Sequence, residues 1–293
     1  MSAYRVVMPL ALLAASVTFA TPPTAQVLWQ HGSDALLTTR CPPGGDIDET
    51  CKAIALRHAG QETLIGAGYM TTRVLWSRPP GGAGPDVIVL GDDGGSGGDG
   101  DLLAVTFSDS AAPVVKRLRG ERIDAAKVTP SPDGPRISLA FDIEYFNGAP
   151  HAGAALVPLP LVWRDGDFAL DPKALTTRPM RSADLDRRER AVARELTQWT
   201  HGTPETQSLY PGPSFSGTPV TVQTLVELML SGHAKEADAL LRRAWPQRAG
   251  RQAFWADLCR AVVTQPYWQR FALARLPGAD LIAASARAAT PST

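Results

Sequence analysis

The feature of this sequence that most restricts its fold is a change in hydrophobic periodicity near Pro179. Over residues 27–171, apolar and polar residues alternate with a period of two, and glycine, proline and aspartate interrupt the pattern often. After Pro179, the apolar residues recur with a helical period. A period of two is typical of strands with one buried face, and a period near 3.6 is typical of amphipathic helices. The sequence therefore predicts strands first and helices second.

The clearest strand is predicted over residues 136–145, where apolar residues alternate with polar or small ones. A hairpin is predicted over residues 161–170, because Asp165-Gly166 suits a two-residue type I′ turn that sets Trp163 opposite Phe168. Other candidate strands cover residues 64–70, 72–76, 86–90, 102–108 and 114–118. Short strands joined by turns favour an antiparallel sandwich or barrel over parallel βαβ units.

In the second part, Leu185, Val192, Leu196 and Trp199 fall on one helical stripe. A loop rich in Gly, Pro, Ser and Thr follows over residues 202–217. Thr218-Pro219 then supplies an N-cap and a favoured first helical residue. The helix that starts there is predicted to end at about residue 231. Further helices are predicted from about 234 to 245, from 251 to 264 and from 267 to 276.

The predicted helical hairpin over residues 218–246 has small and large residues at regular positions. Gly232 stands at the turn, and Ala237, Leu241 and Ala244 lie on the second helix. In these positions the hairpin resembles a single tetratricopeptide unit. The resemblance implies that this half binds another protein or a peptide. The alternative is an ordinary helical hairpin whose small residues allow close packing.

The amino terminus predicts export. Arg5 and the terminal amine form a short positive region, and residues 6–20 contain no charge. Thr18 and Ala20 supply the small side chains that signal peptidase requires, so cleavage is expected after Ala20. The apolar run is shorter than the roughly twenty residues that span a bilayer. We expect a periplasmic or secreted product with no stable membrane span after processing; an uncleaved anchor is the alternative.

Three cysteines are present, and two of them are close in sequence. Cys41 and Cys51 flank a turn-rich segment, and in an oxidising compartment this spacing favours a local disulfide. A zinc site would need further ligands, and His31 and His58 do not have the usual paired spacing. Cys259 shares a helical face with Trp255 and is predicted to be a buried thiol.

Three segments come near a chemical motif. Residues 91–101 carry four aspartates on a glycine-rich backbone, which either bind calcium or form a solvated loop. The same segment contains a Gly-x-Ser-x-Gly match at Ser96. Asp142 and His151 could follow it as the acid and the histidine of a serine hydrolase triad, in the chain order Ser, acid, His. Asp142 and Glu144 project from one face of a predicted strand, either as paired carboxylates of a glycosidase or as solvated residues.

These observations predict an α+β chain with a signal peptide over residues 1–20. An antiparallel β-sandwich or barrel-like domain follows over 21–178, and a small α-helical domain over 179–293. The formal charge of +0 and the absence of a basic stripe exclude nucleic acid as a partner. No catalytic, cofactor-binding or metal-binding residue is assigned, and no cofactor is expected.

The sequence favours an exported, noncatalytic binding or accessory protein of the bacterial envelope, with an envelope protein or peptide as its partner. The alternatives are a secreted hydrolase and a calcium-stabilised structural envelope protein.

Overall fold

The fold is taken from a computed structural model, which describes residues 25–42, 50–95, 97–108, 111–144, 146, 153–175, 182–200, 218–247 and 249–288. This part of the chain has mixed α and β content, with three antiparallel four-stranded sheets and seven α-helices. The predicted signal peptide lies outside the described residues. The predicted domain boundaries at residues 20 and 178 stay predictions.

The first sheet contains β1 (Gln26–His31), β2 (Asp34–Arg40), β3 (Lys52–His58) and β4 (Gln61–Tyr69). The second contains β5 (Thr71–Ser77), β6 (Val87–Gly94), β7 (Asp99–Ser108) and β8 (Ala111–Gly120). The third contains β9 (Lys127–Thr129), β10 (Arg136–Ile143), β11 (Ala155–Arg164) and β12 (Asp167–Leu170). Within each sheet, every hydrogen-bonded neighbour is also the neighbour in sequence.

The second sheet is buried on both faces. Val89 of β6 and Leu103 of β7 pack in a cluster with residues of the first sheet, including Leu36. The alternate residues Leu90 and Leu102 belong to a larger cluster that includes the third sheet and the helices. Burial on both faces explains why the central strands of this sheet read as nearly continuous apolar runs rather than as an alternation.

The third sheet confirms the clearest sequence predictions. Strand β10 ends at Ile143, and its odd-numbered apolar residues pair with those of β11. Trp163 lies opposite Phe168, with their rings edge to face at 5.4 Å between centroids. Asp165 and Gly166 both have positive φ, as the type I′ turn requires.

The helices follow the strands in the chain. They are α1 (Pro172–Leu175), α2 (Ser182–Thr200), α3 (Pro219–Leu230), α4 (Ala234–Ala244), α5 (Arg251–Thr264), α6 (Pro266–Arg270) and α7 (Ala279–Ala288). Val192 and Leu196 of α2 are fully buried in the larger cluster, as the predicted stripe requires. Since this cluster also contains Phe141 and Leu159, helices and strands share one core.

The amino terminus of α3 is capped by a residue from another helix. The carboxylate of Glu195 in α2 accepts hydrogen bonds from the main-chain N–H groups of Val220 at 2.9 Å and Thr221 at 2.7 Å. It also accepts one from the Thr221 hydroxyl at 2.6 Å. The predicted cap, Thr218, makes no side-chain capping bond. A carboxylate suits this place because it satisfies free N–H groups and complements the helix dipole.

The cysteines are placed as predicted. Cys41 and Cys51 form a disulfide, next to the pair Arg40 and Lys52 that ends the ladder between β2 and β3. Cys259 of α5 is a free thiol buried in the larger cluster, and burial raises its pKa to about 12. Among the described residues, no helix is both long enough and apolar enough to cross a membrane.

Residues 91–101 differ from the predicted solvated loop. Gly91 to Gly94 continue β6, and β7 begins at Asp99, so only the short connection between them is a turn. Asp101 is 2% exposed and accepts a hydrogen bond from the Tyr69 hydroxyl at 2.6 Å. Gly91 permits this bond, because a β-carbon there would overlap the Tyr69 ring. The loop prediction was wrong for these residues because β6 and β7 extend into the segment, and a distant tyrosine, and not solvent, bonds to one carboxylate oxygen of Asp101.

Candidate functional site

An acid-lined cavity of about 290 Å³ lies where the second sheet, the third sheet and the start of α6 meet. A neighbouring cavity of about 360 Å³ shares part of this lining and adds Glu144 and Thr264. Together they form a recess that we call the acidic cavity. The polar lining of the first cavity consists of Asp99, Glu121, Asp142, Arg119, Gln265 and Tyr267.

Asp142 stands on the even-numbered face of β10, beside Ala140, which also lines the cavity. It is 2% exposed. Gln265 precedes α6 and donates a hydrogen bond from its side-chain nitrogen to the main-chain oxygen of Asp142. This bond joins residues that are 123 positions apart. The approach of the helical part therefore covers a strand face that alternation alone predicts to be solvated, and that prediction is wrong for Asp142.

Tyr267, in α6, also lines the cavity. The residue is 4% exposed, and its hydroxyl has no hydrogen-bond partner among the residues that the structure describes. The hydroxyl lies against Gly120, where a β-carbon would overlap it. Burial, and next the charge of Glu121, raises the pKa of Tyr267, so the phenol stays neutral.

Arg119 is the basic group of this lining, but its charge is already balanced. Its guanidinium donates to Asp93 at 2.5 Å and lies 3.5 Å from the buried carboxylate of Asp101. The hydrogen bond to Asp93 raises the pKa of Arg119 and keeps it protonated. Arg119 is held by these carboxylates, and the acidic residues Asp99, Glu121 and Asp142 outnumber it in the described lining of the cavity.

Such a lining attracts a positive charge. Carboxylates in a recess with low-dielectric walls interact with a cation more strongly than they would in bulk water. In the described part of the chain, no group of three or more His, Cys, Asp or Glu side chains has an arrangement that could hold a metal ion.

A larger cavity of about 700 Å³ lies among α4, α5 and α7. Four of its polar side chains bond in pairs: Arg251 donates to Asp238 at 3.0 Å, and the Trp255 indole donates to Ser285 at 2.9 Å. A ligand there would have to replace existing bonds. The acidic cavity is the stronger candidate, because acidic residues predominate in its described lining.

The structure places the residues of the predicted motifs unequally. Asp142 lies in the acidic cavity and Glu144 in its extension, whereas Ser96 and His151 fall outside the described residues. Sequence reasoning missed Tyr267. The one local signal was Pro266, which marks a helix start, but nothing in the local sequence shows that this helix faces Gly120.

Fold and site together define a mixed α and β protein with an acid-lined cavity between its sheets and helices. No family model matches the chain, and neither a curated protein nor a solved structure was found to be similar to it.

Proposed function

We propose that this chain is an exported, noncatalytic binding protein of the bacterial cell envelope, and that it holds a cationic group of its partner in the acidic cavity. In this proposal the first two sheets form an antiparallel sandwich, followed by a small helical part. The observation that carries it is the lining of this cavity, in which the acidic residues Asp99, Glu121 and Asp142 outnumber the one described basic residue, Arg119. A recess lined mainly by acidic side chains has a negative potential, which favours a cationic ligand.

Export is supported by the residue pattern at positions 1–20 and by the disulfide between Cys41 and Cys51. Disulfides persist in the periplasm and outside the cell, and they are rare in the cytosol. Expression in a bacterium with an export system should yield a periplasmic product that begins near Thr21, as measured by intact mass. Recovery of the whole chain in the cytoplasm, still carrying Met1, would contradict export.

The binding test uses the whole mature chain and short labelled peptides that are basic, neutral or acidic but otherwise matched. Fluorescence anisotropy should show that the basic peptide binds and that its affinity falls as salt is added. Asp142→Asn should weaken this binding about five- to tenfold, because it removes one negative charge from the wall of the cavity. Glu62→Gln removes an exposed carboxylate on the first sheet and should leave the affinity unchanged. Equal binding of all three peptides would overturn the proposal.

A secreted hydrolase is the second candidate, because carboxylates that line one cavity also suit glycoside hydrolysis. The same variant separates the two functions. Hydrolysis of a glycoside by the wild type, with loss of turnover in Asp142→Asn and not in Glu62→Gln, would replace the noncatalytic proposal.

A further inference from the structure

A further cavity, of about 420 Å³, lies at the other end of the third sheet, and we call it the basic cavity. Arg136, at the start of β10, lines this cavity, whereas Asp142, near the end of the same strand, lines the acidic cavity. The two residues are six positions apart on an extended strand, which is about 20 Å. The basic cavity is therefore a separate site, and the function proposed above does not use it.

Three connections of the chain form the wall of the basic cavity: the turn before β10, the end of β11 and the start of α1. The turn is closed by two hydrogen bonds. The main-chain N–H of Gly134 donates to the Ser131 carbonyl at 3.1 Å, and the Ser131 hydroxyl donates to the Gly134 carbonyl at 2.7 Å. The end of β11 is held in register by the pairing of Trp163 with Phe168. The wall is thus formed by bonds within the chain, as in most ligand sites.

The charged lining of the basic cavity has an excess of one positive charge, from three basic and two acidic residues. Arg136 is already paired, since its guanidinium donates to the Asp171 carboxylate at 3.0 Å. Arg164 and Lys173 are exposed, and neither pairs with any residue that the structure describes. Asp133 is exposed as well, and its single charge balances at most one of these two cations.

Arg164 is unpaired because the acid opposite to it is occupied. Asp167 faces Arg164 across the hairpin of β11 and β12. Its carboxylate binds Arg270 of α6, with each carboxylate oxygen 3.1 Å from the same guanidinium nitrogen. The packing of α6 against this hairpin therefore leaves the guanidinium of Arg164 available to a ligand.

Trp163 adds an uncharged donor to this lining. Its side chain is half-buried, and its indole N–H makes no hydrogen bond within the described part of the chain. Indole, ammonium and guanidinium groups donate hydrogen bonds and do not accept them. Trp163, Arg164 and Lys173 therefore all require an acceptor, and the two cations favour one that is negatively charged.

We propose that the basic cavity binds the carboxylate of an acidic peptide side chain, whose charge is balanced by Arg164 and Lys173 beside the Trp163 indole. A carboxylate has one negative charge, which matches the excess positive charge of the lining. A phosphate monoester carries about −1.5 to −2 at pH 7 and would lie uncompensated near Asp133 and Asp171. A uronic acid carries the same group as the peptide, but part of the Trp163 ring packs against the core, which leaves less of it to stack on a sugar.

The experiment is an NMR titration of the whole mature chain, labelled with ¹⁵N, with acetyl-Ala-Glu-Ala-amide and its glutamine analogue. The glutamate peptide should bind more tightly, and added salt should weaken it. It should also shift the indole N–H resonance of Trp163, which is identified by its loss in Trp163→Phe. Glucuronate and a phosphoserine tripeptide are titrated in parallel.

Arg164→Gln and Lys173→Gln should each lower the affinity for the glutamate peptide about three- to fivefold, as loss of one exposed charge pair predicts. Arg275→Gln is the matched control, because it removes an exposed arginine that does not line the cavity. This control should leave the affinity unchanged.

Equal affinity for the glutamate and glutamine peptides would overturn the inference, and so would equal effects of Arg164→Gln and Arg275→Gln. Tighter binding of glucuronate or of the phosphoserine peptide would show a different anion and also refute it. Asp142→Asn separates this site from the acidic cavity, because it should not change the affinity for the glutamate peptide. If that peptide fails to bind while basic peptides still do, this inference fails and the proposed function stands.

Discussion

The hydroxyl oxygen of Tyr267 occupies the space that a β-carbon on Gly120 would need. The contact joins the end of β8 to α6 and so fixes one wall of the acidic cavity. Gly120 also pairs with Gly100 of β7. A β-carbon on Gly100 would overlap the main-chain oxygen of Gly91. Both glycines therefore serve close packing at this edge of the second sheet.

Gly120→Ala should lower the free energy of unfolding by about 1–3 kcal/mol, because the new methyl group overpacks the contact with Tyr267. In the double variant with Tyr267→Phe, part of this loss should be recovered, since the overlapping oxygen is gone. Urea denaturation of the four proteins in a double-mutant cycle measures the coupling. Strictly additive effects would show that the two residues do not compete for space.

The bond between Tyr69 and Asp101 should be one of the most valuable polar contacts of the strand region. Tyr69→Phe leaves the buried carboxylate without its closest donor, so we expect a loss of about 1.5–3 kcal/mol. Thermal and urea unfolding would measure it. Thr39→Val, at a side chain whose one described bond is exposed, is a control that should change stability little. A loss equal to that of the control would contradict the role of the buried pair.

Glu195 should contribute more to the free energy of unfolding than Glu189, which lies on the same helix. Glu195→Ala leaves two main-chain donors and one hydroxyl unsatisfied at the start of α3, and we expect a loss of about 1–2 kcal/mol. Glu189 pairs with Arg243 at 2.8 Å near the surface, so Glu189→Ala should cost less than about 1 kcal/mol. Circular dichroism during urea unfolding compares the two. The reverse order would refute the capping role.

Alkaline pH should lower the free energy of unfolding, and Cys259 should determine the pH at which this loss begins. Its pKa rises from about 8.5 in an unfolded chain to about 12 in the folded state, so above about pH 8.5 the unfolded state releases a proton that the folded state keeps. Stability is therefore complete below that pH and falls by up to about 1.4 kcal/mol per pH unit as the pH rises. The raised pKa values of Tyr69 and Tyr267 add to the loss above about pH 10.

Cys259→Ala should remove the part of this loss that lies between about pH 8.5 and 10. Unfolding in urea, measured at several pH values, compares the slopes of the two proteins. An unchanged slope in Cys259→Ala would show that another group is responsible.

The disulfide should stabilise the fold by about 3 kcal/mol, as expected for a bridge that closes a short loop. Cys41→Ala with Cys51→Ala should lower the free energy of unfolding by about this amount. A reducing agent should do the same to the wild type and to Cys259→Ala, but not to the double variant. Peptide mapping without reduction should find Cys259 unlinked.

The sequence predicted those features that depend on neighbouring residues. Asp165-Gly166 sets the hairpin register, Gly232 ends the first helix of the helical hairpin with φ at 82°, and the spacing of Cys41 and Cys51 allows their bridge. These outcomes follow from backbone preferences and from short loops. Long-range packing plays little part in them.

The candidate site could not be predicted in the same way. Asp142 was expected in solvent, because alternation on β10 reports which face is polar and not what later covers that face. The cover comes from Gln265 and Tyr267, more than a hundred positions later in the chain. In the same way, the local sequence predicts a loop at Asp101, because it contains no sign of Tyr69, the partner that lies 32 residues earlier.

The strict sequential order of strands in all three sheets has a consequence for how the chain folds. Each strand pairs only with the strand just before or after it, so closing each ladder requires only short loops. Short loops have a low entropic cost of closure, and proteins rich in local contacts fold fast. The first sheet can form without any residue beyond Tyr69, and the second without any beyond Gly120. A chain that emerges amino terminus first can thus pair its strands one sheet at a time, whereas the shared core and the acidic cavity are completed only when the helices follow.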